Sequence, residues 1–173
     1  GALVDHLSEA ELMFVIGHEC GHIQNNHVVY MTTLYSLTQT ANVLLRVGAQ
    51  PAVLALRAWA RRAEITCDRA GLLCARDLKT ATTALVKLAL GSQKLTGTID
   101  IDEYLRQFED ARDSLRRLGE AFSTHPYLPT RVAALRLFAQ TAYFRGVIGE
   151  DGQTGLSREE CDAQVADMVA VIK

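Results

Sequence analysis

A mainly α-helical fold with little or no sheet is what this sequence predicts, and three observations carry the prediction. Only three prolines occur in 173 residues, while alanine and leucine are plentiful, a balance that favours helix over an all-β sandwich. A serine followed three residues later by a glutamate, the pattern of a helix-opening capping box, occurs at Ser8–Glu11 and again at Ser157–Glu160. Strand-like patterning is confined to Ala2–Val4 and Phe122–Tyr127. With 49% hydrophobic and 22% charged residues the chain has a globular composition, and its length is one domain's worth, enough to bury a core without disulfide staples. Eighteen basic against 20 acidic residues leave a net charge of −2, which argues against a nucleic-acid partner.

The elements follow in order. Ser8 and Glu11 open a first helix that runs through Leu12, Val15, Glu19 and Ile23 to about Val29. A second helix is expected from Thr32 to Val47, stopped by Gly48. Pro51 suits the first turn of a third, through Trp59, Glu64 and Asp68 to about Arg76. The apolar tract from Val28 to Ala60 is interrupted by Thr32, Asn42, Arg46 and Arg57, so it reads as a buried helical hairpin rather than a membrane span; a membrane-facing or lid hairpin is the alternative. Thr80 to Leu90 form a shorter helix. Asp100 with Glu103 opens a charged one through Leu118, and Pro129 begins another from about Thr130 to Phe144. Ser157 and Glu160 cap the last.

Four cysteines, Cys20, Cys67, Cys74 and Cys161, form no C-x-x-C pair; three of the four fall in helix-patterned stretches and read as small buried hydrophobes rather than a disulfide framework, favouring a reducing compartment. No signal peptide opens the chain. Cytoplasmic or membrane-associated localisation is expected, with membrane association a property of the full-length protein.

One motif stands above this background. His18-Glu19-Cys20-Gly21-His22 is an H-E-x-x-H inside a capped helix, the context that motif requires. Residues i and i+4 differ by about 40° around a helix, so both imidazoles project from one face and can grip one ion. Zinc lowers the pKa of a bound water toward about 7, and Glu19 between the histidines can take its proton. His27 would lie about 140° from His22 on a continuous helix, so it reads as a surface histidine or one supporting a ligand, as does His6. Catalytic zinc needs a third protein ligand. The extended form H-E-x-x-H-x-x-G-x-x-H is excluded, because the chain has Asn25 and Val28 where glycine and histidine would stand. Glu64 is the best candidate, with Asp68 one turn later able to accept the free N–H of a ligand imidazole. Alternatively, both carboxylates pair with Arg61, Arg62 or Arg69 on a solvated face.

Three blocks, His18-Glu19-x-x-His22, then Glu64-x-x-x-Asp68-Arg69-x-Gly71, then Ser123-Thr124-His125-Pro126 with Arg131, resemble the HtpX and CAAX-prenyl-protease type of gluzincin metallopeptidase, peptidase family M48. They occur in the family's order and span Leu3 to about Leu137. The resemblance implies a zincin-like helical domain around the H-E-x-x-H helix and one zinc per chain bound by His18, His22 and Glu64. It further implies Glu19 as general base and acid, Asp68 behind a ligand histidine, and catalytic roles for His125 and Arg131. His125 would serve as an oxyanion donor or as a latent fourth ligand, with Arg131 orienting it or a nearby carboxylate. The expected organisation is a catalytic domain over 1–145, a flexible linker over 146–156 and a C-terminal helix over 157–173. Relatives carry strands ahead of this region, including an edge strand that holds the peptide, so an intact zinc site with impaired docking is a further expectation. The reaction implied is hydrolysis of internal bonds in a polypeptide substrate. The rivals are a catalytically silent zinc-binding chaperone-like or assembly module, and a helical interaction protein without metal.

Overall fold

Local chemistry at Ser8 starts the fold. Its backbone is extended, its hydroxyl accepts the Glu11 amide at 3.3 Å, and the Glu11 carboxylate accepts the Ser8 amide at 2.7 Å. This capping box opens α1 (Glu9–Gln24). The computed structural model describes residues 6–39, 43–90, 103 and 127–170. The expected helix over 100–118 lies outside the described residues except for Glu103, as do Ala2–Val4 and, Tyr127 apart, the Phe122–Tyr127 stretch.

α1 ends five residues before the expected Val29. The Asn25 side chain donates to the Gly21 carbonyl at 2.8 Å, and Asn26 adopts a left-handed backbone with φ 53°. Asparagine tolerates that conformation better than most residues, so the adjacent pair ends the helix and redirects the chain. The chain then enters α2 (His27–Gln39) and, past residues 40–42, which lie outside the described residues, α3 (Val43–Gly48); both fall on the stretch where a helix from Thr32 to Val47 is expected, and α2 begins five residues earlier. α4 (Gln50–Ala75) carries Pro51 in its first turn and ends where Arg76 takes φ 58°. The Asp77 carboxylate accepts both the amide and the hydroxyl of Thr80 at the entry to α5 (Leu78–Leu90).

The helix expected over 130–144 is two helices, α6 (Leu128–Ala139) and α7 (Ala142–Ile148). The fully buried Thr141 separates them: its hydroxyl accepts the Phe144 amide at 3.2 Å and caps α7. The segment 146–156, expected as a flexible linker, begins inside α7 and ends in backbone hydrogen bonds of 3.0 Å from Leu156 N–H to the Gln140 carbonyl and from Ala142 N–H to the Leu156 carbonyl. That pairing is an isolated bridge, and the described residues form no strand. The second capping box, Ser157 with Glu160, opens α8 (Arg158–Val169).

One core joins these helices: Phe14 of α1, Ile65 and Leu72 of α4, Leu85 of α5, Val132 and Leu135 of α6, with Cys161 and Val165 of α8 in the same cluster. The crossing of α1 on α4 is close because small residues line it. A Cβ on Gly71 would stand 2.6 Å from the Phe14 carbonyl oxygen, and one on Gly17 would stand 2.7 Å from Cys74 Sγ. The expectation of a buried hairpin over Val28–Ala60 is corrected. Leu34, Val53 and Ala60 are buried, but Val28, Val29, Tyr35, Leu45 and Val47 are exposed, and Leu44 is 84% exposed. α2 meets α4 and, at its start, α1, yet much of its apolar surface is left uncovered by described residues. No helix among the described residues is long and apolar enough to cross a membrane. The cysteines are all free; Cys67 and Cys161 are buried, whereas Cys20 and Cys74 are exposed, so burial holds for fewer of them than the three expected.

Candidate metal centre

The close α1–α4 crossing sets two turns of one helix against two turns of the other. His18 and His22 on α1 bring their Nε2 atoms to 3.1 Å from each other. Glu64 on α4, 6% exposed, lies with Oε1 3.4 Å from His22 Nε2 and Oε2 3.8 Å from His18 Nε2. Ligand atoms around a tetrahedral zinc with bonds near 2.0–2.1 Å stand roughly 3.3–3.4 Å apart, so the three spacings bracket what one ion needs. These are the donors zinc takes, two imidazoles and a carboxylate, and all three ligand atoms lie within 4.8 Å of one another.

Asp68, 1% exposed, faces the other side of His18, with Oδ1 2.9 Å from His18 Nδ1. A carboxylate there keeps the His18 proton on Nδ1 and leaves the Nε2 lone pair free for a metal. Both carboxylates are buried rather than on a solvated face. Arg69 meets Asp162 at 2.6 Å. The cation at the site is Arg131 of α6, which donates from Nε to Asp68 Oδ2 at 2.7 Å and from Nη2 to Asp68 Oδ1 at 2.6 Å, with Nη1 3.4 Å from Glu64 Oε2. Burial alone would pull the Arg131 guanidinium down, but the hydrogen bonds and charge of Asp68, with Glu64 beyond, hold it above its ordinary value. Of the two partners expected for Arg131, the nearby carboxylate is in contact with it. His125 lies outside the described residues.

Glu19 is exposed and, with His22, His27, Val28, Met31, Thr32 and Tyr35, lines an open groove of about 470 Å³ between α1 and α2. A carboxylate beside the ligand pair and open to solvent can meet both a water and an incoming peptide.

Of the two readings the sequence allows for His27, the surface one is overturned: it is buried, with Nδ1 3.1 Å from His22 Nδ1 and 3.4 Å from Cys67 Sγ. The 140° argument assumed an unbroken helix; the Asn25-Asn26 pair was the available signal that the helix stops. Burial, and behind it the neighbouring His22, pushes the His27 imidazole below its ordinary value. Burial also pushes the Cys67 thiol up to about 12, helped by Glu64 and Asp68, so it is a neutral thiol near pH 7.

Comparison with known proteins gives this arrangement a context. The model of peptidase family M48 matches residues 1–139. The chain belongs to peptidase family M48. This M48 chain is similar to the plastoglobule-localized metallopeptidase 48, chloroplastic, of Arabidopsis thaliana. The two are 38% identical over 109 residues, which cover 61% of this chain and 32% of that protein. The matched region thus spans about a third of the length of that curated relative. No solved structure matches the M48 chain. Family membership accords with the mainly helical fold and implies a metal cofactor, for which the His18, His22 and Glu64 set is suited.

Proposed function

We propose that this chain is the catalytic region of a zinc-dependent endopeptidase that hydrolyses internal peptide bonds. The observation that carries the reading is the convergence of His18, His22 and Glu64, whose ligand atoms lie within 4.8 Å of one another beside the exposed Glu19. One zinc per chain would be held by these three side chains. When bound, zinc supplies Lewis acidity, polarising the scissile carbonyl and acidifying a water. Glu19 takes the proton of the attacking water and passes it to the leaving amine. Asp68 holds His18 with its Nε2 lone pair available, and Arg131 locks Asp68 in place through two hydrogen bonds. The groove beside Glu19 and His22 receives the polypeptide. On resemblance alone, His125 faces the same site, as an oxyanion donor or in contact with the metal.

The test is Glu19→Gln in the full-length protein. The amide keeps the shape of the carboxylate and cannot take the proton. Zinc content near one per chain with peptide hydrolysis abolished is the expected result. Hydrolysis close to that of the unsubstituted protein rules out Glu19 as the base.

A further inference from the structure

The two histidines of α1 are supported by different chemistry. His18 leans on the carboxylate of Asp68, whereas His22 turns its Nδ1 to the Nδ1 of a third imidazole, His27, at 3.1 Å. The His22 and His27 rings meet edge to face, with centroids 5.1 Å apart and an interplanar angle of 80°. Two imidazole nitrogens at this separation need one proton between them, one ring donating and the other accepting. Once the His22 Nε2 lone pair is directed at a metal, the His22 proton resides on Nδ1. His27 must then accept it and carry its own proton on Nε2.

His27 is well placed for that work because it cannot easily move. It is 5% exposed, its ring stands edge-on to Trp59 with centroids 5.0 Å apart, and its Nδ1 lies 3.4 Å from the buried Cys67 Sγ. Trp59 and Cys67 both belong to α4, the helix that supplies Glu64. The left-handed Asn26 brings His27 back over His22.

We propose that His27 is the positioning residue for His22: it accepts the His22 Nδ1–H and thereby holds the Nε2 lone pair of His22 toward the metal, as Asp68 does for His18. The assignment rests on the metal-centre reading above. The same atoms admit a rival use, because His22, His27 and Cys67 also bring ligand atoms within 4.8 Å of one another. The two uses exclude each other, since His22 Nδ1 cannot both carry a proton and bind an ion. The 3.1 Å separation of the ring nitrogens suits an N–H···N hydrogen bond directly.

The experiment compares zinc affinity, by competition with a chelator, for the unsubstituted chain, His27→Leu and His27→Gln. Leucine fills much of the space without an acceptor, whereas glutamine restores an acceptor oxygen. His27→Leu should bind zinc about 10- to 100-fold more weakly, and His27→Gln should recover most of that loss. In the zinc-loaded unsubstituted chain, nitrogen-15 NMR should show a scalar coupling across the hydrogen bond between His22 Nδ1 and His27 Nδ1. Equal affinities in all three proteins overturn the proposal, as does equal weakening of both variants while circular dichroism stays native. A second zinc equivalent, or a thiolate charge-transfer band on cobalt substitution, also overturns it by making His27 and Cys67 ligands. No zinc uptake by the unsubstituted chain refutes the metal-centre reading itself. The coupling, sought in the metal-free chain, then decides the His22–His27 hydrogen bond separately.

Discussion

Gly71→Ala is the smallest change that tests how the candidate site is assembled. Gly71 lies within α4, four residues before its end at Ala75, and inside a helix alanine is worth up to about 1 kcal/mol more than glycine in propensity, so on local grounds the variant should be more stable. The packing says the opposite. The new Cβ would lie 2.6 Å from the Phe14 carbonyl oxygen and 2.8 Å from two Phe14 ring carbons. A ring can tilt, but a main-chain oxygen inside α1 cannot rotate away. Relief to an ordinary contact requires α1 to withdraw from α4 by several tenths of an ångström. Overpacking of this kind costs about 1–3 kcal/mol, and a backbone obstacle puts this case at the upper end. A net loss of about 1–2 kcal/mol is expected, read as a lower urea midpoint or a melting temperature reduced by about 2–4 °C per kcal/mol. The same withdrawal is transmitted to the site, because His18 lies one turn beyond Phe14 and Asp68 about one turn before Gly71. The 2.9 Å contact from His18 to Asp68 lengthens, and zinc affinity should fall by about 10-fold or more, as losses behind a ligand do. Gly48→Ala is the control. Nothing lies within 4 Å of a Cβ at Gly48, so that variant should be unchanged or slightly more stable, with zinc binding unaltered. A Gly71→Ala protein with the unsubstituted midpoint and zinc affinity would refute the claim that this crossing sets the donor geometry.

Two other outcomes follow from the contacts. Asp68→Ala removes the acceptor of His18 Nδ1 and the partner of Arg131, so zinc affinity should drop about 10- to 100-fold in a chelator competition; unchanged affinity would free Asp68 from that role. For Glu11, burial alone would raise the carboxyl pKa, but the hydrogen bonds from Lys87 and Ser8 and the Lys87 charge outweigh it and hold it below its ordinary value. A lowered folded pKa means the stabilisation is complete above the unfolded value and is lost as pH falls through the folded one. Urea midpoints measured down to about pH 3 should therefore decline more steeply for the unsubstituted chain than for Glu11→Gln, and parallel profiles would contradict the assignment.

What the sequence determines by itself is short in range. The two capping boxes, Pro51 and Pro129 in first turns, and the i, i+4 histidines are relations among residues within four positions of each other, set by helix geometry and backbone hydrogen bonding. Those relations also delivered the helical class and the H-E-x-x-H motif. Two helix breaks were missed for a related reason. Asn25-Asn26 and Thr141 end helices by satisfying backbone groups with side chains, a signal weaker than proline or glycine and easily overridden by the apolar pattern around it. Only the tertiary structure decided the rest. His18 and Asp68 are 50 positions apart, and their contact exists because glycines let α1 settle onto α4 at close range. That crossing takes Glu64 and Asp68 out of solvent and sets them against His18, His22 and Arg131, residues far away in sequence. His27 is the clearest case. Read along a helix it points away from His22, and one left-handed asparagine reverses that, because a single backbone rotation reorients everything after it while leaving local composition unchanged.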